Sequence, residues 1–198
     1  DSLAGIRAEG PAGPYEMDCS ALVLAPGHSA RDTFQMLREA GVPMERKPFA
    51  VGVRIEHRQR DISLSQYGPA WAKLPPSDYK LACHLPGGRS AFTFCVCPGG
   101  QVVAAASEQG GVVTNGMSLR ARNGENINGG FLAGVEFQRQ WERAAFRLGG
   151  GSFRAPAQRV EDFLLSRPSE GAGCVTPTYR SGVVWTGLDA CLPGCVAD

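Results

Sequence analysis

No apolar stretch of this sequence approaches the roughly 20 residues a helix needs to cross a bilayer, so no membrane partner is expected. Charge of one sign is lacking too. The 20 basic residues stand against 19 acidic ones, for a formal charge of +1, and they are scattered rather than clustered. Nucleic-acid surfaces draw affinity from clustered cations, so no nucleic-acid partner is expected either. Several catalytic signatures are missing: the GxSxG nucleophile elbow, the Walker P-loop, the HExxH zinc helix and the GxGxxG dinucleotide fingerprint. Histidine numbers only three, and His28 alone stands on a predicted turn, a setting where catalytic groups concentrate. No basic and apolar leader opens the chain, which begins Asp1-Ser2-Leu3 without a methionine. That start reads as a fragment of a longer protein, with the cytoplasm as the expected compartment.

What is present suffices for a folded core. Apolar residues make up 43% of the 198, and the 26 glycines, several in pairs or triplets, punctuate the chain with turns. Seven cysteines (Cys19, Cys83, Cys95, Cys97, Cys174, Cys191 and Cys195) are read as free thiols, as befits a reducing compartment.

The chain is organised around Ser20 to Ala40. Ala21-Leu22-Val23-Leu24-Ala25 is apolar without alternation, the pattern of a strand covered on both faces. Pro26-Gly27 ends it, Ser29 with Asp32 spells a capping box, and Ala30, Phe34 and Leu37 recur at helical spacing before Gly41. A glycine turn before a helix start offers free backbone N–H groups beside the strand end, a common ligand position in open α/β sheets. An ordinary strand–helix unit without ligand is the alternative.

Around it, Ile6 to Asp18 predicts a hairpin. Arg46 to His57 alternates, with Phe49, Val51, Val53, Ile55 and His57 on one face and Arg54 and Glu56 together on the other. Those two charges suit a solvated or cross-strand ion pair, or a grip on a polar ligand. Gln59 to Ser77 reads as loop with at most a short helix. Tyr79 to His84 and Ser90 to Cys97 read as strands joined at Pro86-Gly87-Gly88. Pro98-Gly99-Gly100 is then a turn, Gln101 to Ala106 another strand, and Asn115-Gly116 a two-residue hairpin turn. Asn123 to Gly130 reads as loop, and a helix is predicted from Gly134, burying Phe137, Trp141, Ala144, Ala145 and Leu148. Pro156 starts a shorter helix burying Val160, Phe163 and Leu164, and Gly182 to Trp185 is a late strand. The class is therefore α+β: a mostly antiparallel or mixed sheet with two or three helices, attached to a partial Rossmann-type βα unit. A boundary is expected after residue 45, with residues 1–45 forming a hairpin, strand, turn and helix and 46–198 forming a second α+β domain.

Cys95-Val96-Cys97 places two thiols on one strand face, their Cα atoms about 6.6–6.8 Å apart, near the upper limit for a disulfide. The CxC spacing is not that of a zinc knuckle, and a metal site would need Cys83 and His84 as well; no metal is expected.

The runs APGHSARDTFQML, KPFAVGVRIEH, DYKLACHLPGGRSAFTFCVCPGGQVVAAASEQGGVVTNGMS and AGVEFQRQWERAAFRLGGGSFRAPAQRVEDFL together resemble the uncharacterised bacterial FAD-dependent dehydrogenases over nearly the whole chain. The resemblance implies the middle, substrate-side portion of such a flavoprotein. Its N-terminal GxGxxG segment is not in this sequence, and the Asn123–Gly134 segment looks shorter than in the family. By resemblance, Ala25, Gly27, His28, Ser29 and Arg31 approach FAD. Pro98, Gly99 and Gly100, with Thr114, Asn115, Gly116, Met117 and Ser118, line the cavity over it. Cys95, Cys97 and His28 are the candidates for chemistry. FAD belongs to the intact parent, whose missing FAD-binding segments are the expected partners, with a small-molecule substrate. A non-catalytic binding or scaffold module is the competing reading.

Overall fold

The computed structural model describes residues 3–85, 88–135 and 139–197. Two compact units divide the chain, Asp1–Arg46 and Lys47–Asp198.

In the first unit, β1 (Gly5–Gly10) and β2 (Gly13–Asp18) form the expected antiparallel hairpin, with Gly10 opposite Gly13. The apolar run that follows departs from expectation. Ala21–Ala25 forms no strand and has no ladder partner among the described residues. Leu22, Val23 and Leu24 are 50%, 86% and 57% exposed. A continuous apolar run is stable as a strand only between neighbours that cover both faces, and this unit supplies none. Helix α1 (Arg31–Glu39) does form, but without the capping box. Ala30 holds the N-cap position with no side-chain bond. The Ser29 hydroxyl lies 3.3 Å from His28 Nε2, and Asp32 Oδ1 accepts the Thr33 N–H at 2.8 Å. Gly41 stops the helix as predicted, at φ +79°, its N–H reaching the Arg38 carbonyl.

The second unit contains β3 (Phe49–Arg58), α2 (Gln59–Tyr67), a 3-10 turn (Gly68–Lys73), β4 (Ala82–His84), β5 (Ser90–Ala104), β6 (Thr114–Ser118) and β7 (Asn126–Val135). Then come α3 (Arg139–Leu148), β8 (Ala155–Ala157), α4 (Val160–Leu164), β9 (Val183–Trp185), a second 3-10 turn (Asp189–Cys191) and α5 (Gly194–Ala197). The main sheet runs β3-β7-β5-β4 with β6 on the far half of β5, all antiparallel. β8 and β9 make a small parallel pair. The α+β class stands. Among the described residues no helix is long and apolar enough to cross a membrane.

Four segments read as turns, loop or helix are strands instead. Asn126–Gly130, expected as loop, lies in β7 at the centre of the sheet, and Gly134 belongs to that strand rather than to a helix. Helix α3 begins at Arg139; the expected Phe137 contact and Pro86-Gly87 lie outside the described residues. Pro98-Gly99-Gly100 is not an exposed turn but a buried part of one long β5. Asn115-Gly116 sits inside β6, not at a hairpin tip. Pro156 belongs to β8, not to a helix. Conversely, Gln59 to Lys73 is a helix followed by a 3-10 turn, more ordered than expected.

The core gathers Val102 of β5, Val112, Ala155 of β8 and Tyr179, packed against Ala145 and Phe146 of α3 and Val183 of β9. Helix α4 departs from its predicted face: Val160 and Leu164 are exposed, Phe163 is half-buried and Asp162 is the buried member. A buried carboxylate is stable only when paired. Asp162 accepts from Arg159 Nε at 2.6 Å, Arg167 Nε at 2.7 Å and the Ser169 hydroxyl at 2.7 Å. The Arg159 and Ser169 bonds, reinforced by Arg167, hold its carboxyl down to about 2, against an ordinary value of 3.8. Ionised Asp162 therefore favours the fold above its unfolded value, and that contribution disappears as pH falls through the folded one. Asp162→Asn should lower the melting temperature by several degrees at neutral pH. The gap to wild type, followed by circular dichroism, should narrow between about pH 4 and about pH 2.

Candidate functional site

Strand β5 is too long for its partner. Phe94 stands opposite Gly130, Cys97 opposite Asn128 and Gly100 opposite Asn126, so each step sets three residues of β5 against two of β7. These are two successive β-bulges, a device that re-aims side chains. Cys95 in the first has φ +45° and Gly99 in the second φ +53°. For a non-glycine residue such as Cys95 that region is sparsely populated.

Gln59, at the start of α2, pins the second bulge. Its Oε1 accepts the Gly99 N–H at 2.8 Å, and its Nε2 donates to the Ser63 hydroxyl at 3.1 Å and the Ser77 carbonyl at 2.9 Å. The Ser63 and Ser77 hydroxyls bond each other at 3.1 Å, which closes a buried polar network. Only glycine fits at 99, because a Cβ there would strike the Arg122 carbonyl.

Arg54 ties down the first bulge. It starts on β3, whose alternation puts it on the same face as Asn128 of the neighbouring β7. Its Nε donates to Asn128 Oδ1 at 2.9 Å. Its Nη2 donates to the Cys95 carbonyl at 2.5 Å and lies 3.7 Å from Cys97 Sγ. Its Nη1 makes a long contact, 3.4 Å, with Asn115 Oδ1 of β6. Gly116 makes room for this arrangement, since a Cβ there would collide with Arg54 Nη2 and Asn128 Oδ1.

Among the described residues neither Arg54 nor Glu56 makes the cross-strand ion pair expected of them. Both share a face, but Glu56 takes the Thr178 hydroxyl at 2.6 Å, the Thr178 N–H at 3.2 Å and Asn126 Nδ2 at 3.2 Å. Among the described residues every acceptor of Arg54 is neutral. Among the described residues Asn128, with no exposed surface, leaves its Nδ2 without a partner. On the opposite sheet face, His57 and Tyr79 meet edge to face at 5.7 Å. Burial lowers the His57 pKa; it raises that of Tyr79, an effect partly offset by the Arg54 charge.

Of the residues singled out from sequence, Cys95, Cys97, Asn115 and Gly116 converge on Arg54. Pro98, Gly99, Gly100 and Ser118 support them: the Ser118 hydroxyl donates to the Pro98 carbonyl at 2.8 Å and Ser118 faces Gly100 across the ladder. Thr114 and Met117 pair with Ala104 and Gln101, and neither bonds Arg54. In the first unit, Ala25, Gly27, His28 and Ser29 lie in an exposed irregular segment, and Arg31 heads α1. An open hollow of about 570 Å³ in that unit is lined by Phe34, Gln35, Arg38, Glu39 and Met44, none of them an expected flavin contact. Among the described residues no group of three His, Cys, Asp or Glu side chains is placed to hold a metal; His84 Nδ1 bonds Ser90 at 2.8 Å instead. Sequence reasoning missed Asn128 and Gln59, because both lay in segments read as loop.

Residues 48–198 match the family described as FAD-dependent protein, C-terminal domain-like. The chain belongs to that family. A protein of Clostridium beijerinckii described only as uncharacterized is 46% identical over 197 residues, covering 91% of this chain and 37% of the relative. The chain thus spans well under half the length of that relative. Every residue around Arg54 lies inside the stretch matched by the FAD-dependent C-terminal domain-like family, whereas Ala25 to Arg31 lie before it. Gly99→Ala should cost about 2–4 kcal/mol, the range of backbone clash combined with a forced positive φ. The check is a lower urea midpoint at unchanged slope.

Proposed function

We propose that Lys47–Asp198 is the substrate-side domain of an FAD-dependent oxidoreductase or dehydrogenase, and that it walls a pocket whose cofactor is held by other segments of the parent protein. The observation that carries this reading is the meeting of Arg54, Cys97, Asn115 and Asn128 at the β5 bulge, inside the stretch that matches an FAD-dependent family. Bulges recur beside active sites because they break the ladder and turn side chains toward a ligand.

The first unit alone does not fit FAD. Leu22 to Leu24 are open to solvent, and Asp32 in the first turn of α1 sets a carboxylate where a pyrophosphate would seek positive dipole. Ala25, Gly27, His28, Ser29 and Arg31 are flavin contacts only when the parent's FAD-binding segments complete the sheet around that apolar run. In the second unit, Arg54 orients a polar substrate group, and the buried Pro98-Gly99-Gly100 backbone keeps water from that edge of the sheet. Cys97, and less directly Cys95, stand where a thiol can exchange a proton with a bound small molecule. The cytoplasm suits six described cysteines that are all free. One feature favours the scaffold alternative: an exposed Leu22-Val23-Leu24 run also suits docking on another protein.

Absorbance spectra of the 198-residue chain and of the longer C. beijerinckii relative, purified side by side, test the reading. A yellow relative with flavin bands beside a colourless chain is the expected result. A colourless relative that also takes up no added FAD would overturn the oxidoreductase assignment. A yellow chain would overturn the claim that other segments hold the cofactor.

A further inference from the structure

Arg54 carries a full positive charge yet meets only neutral acceptors among the described residues. Half-buried cations are normally matched by an opposite charge, because desolvation otherwise goes uncompensated. The same unit shows such matching at Asp162, where two guanidiniums flank one carboxylate.

The guanidinium is also held in place. Nε and Nη2 are fixed by Asn128 and by the Cys95 carbonyl on two different strands, so the planar fork cannot swing. Of its five N–H groups, four face the acceptors named above and one on Nη1 faces none among the described residues. The Nη1 edge is the least satisfied, since its contact with Asn115 Oδ1 is 3.4 Å while that oxygen already accepts the Gly116 N–H at 2.8 Å. Asn115 is exposed, so this edge opens toward solvent.

We infer that the Nη1 edge of Arg54 binds the carboxylate of a small organic acid. On the reading proposed above, that acid is the substrate of the flavoprotein. A carboxylate oxygen there gains a charge-assisted bond, roughly twice as strong as a neutral one, and displaces only the weak Asn115 contact. A phosphate dianion suits the site less. Such groups gather several cations or a helix N-terminus, and among the described residues Arg54 is the only cation bonded within this cluster. Asn128 is the positioning residue. Its Oδ1 sets the plane of the fork, and its Nδ2, without a partner among the described residues, marks a polar network with a donor to spare.

The test is a titration of the 198-residue chain with succinate, with acetate and with inorganic phosphate, read from NMR shifts of the Arg54 side-chain N–H and the Asn128 amide. Saturable shifts with the carboxylates are expected. Asn115→Asp, an exposed change that places a competing carboxylate beside Nη1, should weaken them about tenfold or more. Arg54→Met should abolish the Asn128 response; should that variant fail to fold, Asn115→Asp decides alone. Absence of saturable shifts, or shifts unaffected by Asn115→Asp, would overturn the site. Tighter binding of phosphate, or displacement of succinate by free FAD, would overturn the carboxylate-substrate assignment in favour of the cofactor. No step needs bound flavin, so a colourless C. beijerinckii relative would remove the oxidoreductase reading and leave the anion site standing.

Discussion

The two bulges of β5 are the constraint on which the second unit depends. A regular strand from Ser90 to Ala104 would alternate faces throughout and put Cys97 on the face opposite Phe94. Two extra residues break that register, place Cys97 across from Asn128 and leave Pro98-Gly99-Gly100 buried, with Gly99 bonded to Gln59 of α2. The unpaired backbone this creates must find partners elsewhere. Gln59 supplies one to the Gly99 N–H, Arg54 supplies one to the Cys95 carbonyl, and the Ser118 hydroxyl supplies one to the Pro98 carbonyl. Three side chains from α2, β3 and β6 are thereby committed to a single irregular strand.

These commitments differ in kind. Gln59, Ser63 and Ser77 satisfy one another and form a closed support. Glu56 is similarly used up in clasping Thr178, whose hydroxyl also takes the Val102 N–H of β5 at 2.7 Å. Asp162 is balanced by Arg159 and Arg167. Arg54 stands apart because its geometry is fixed and no carboxylate among the described residues answers its charge. Fixed geometry without charge compensation is costly for stability alone, and it is the condition that favours a ligand completing the site.

The sequence carried the elements whose periodicity serves packing and hid those whose residues serve contact. The β1–β2 hairpin, α1 with its Gly41 stop, the alternation of β3 and the late strand at Val183 were all readable, since each follows a rule of period or turn chemistry. The α+β class followed from them. β7 was not readable. Its Asn126 and Asn128 look like loop residues, yet their side chains reach Glu56 and Arg54 across the sheet. Asn115-Gly116 mimics the strongest hairpin signal, but Asn115 bonds its own neighbour's N–H and Gly116 yields space to Arg54. Of the candidate site, the CxC cysteines and the asparagine–glycine pair were visible. What joins them, Arg54 to Asn128, depends on a strand pairing 74 residues apart.

The misreading of Ala21–Ala25 has a different origin. There the local signal is a buried strand, and the environment, not the residues, is what the rule presupposes. An apolar run exposed beside a helix that follows a glycine turn conflicts with the tendency of foldable sequences to agree across levels. The conflict resolves if the run finishes a sheet contributed by other segments, as the share of the C. beijerinckii relative that this chain covers allows. The second unit shows no such conflict in its core, where Val102, Val112, Ala155 and Tyr179 are buried by their own neighbours. Two local inconsistencies stand out among the described residues, the exposed run and the bulged strand. At both, regular structure gives way: the run is left uncovered within its own unit, and the bulged strand is pinned by Gln59 and Arg54.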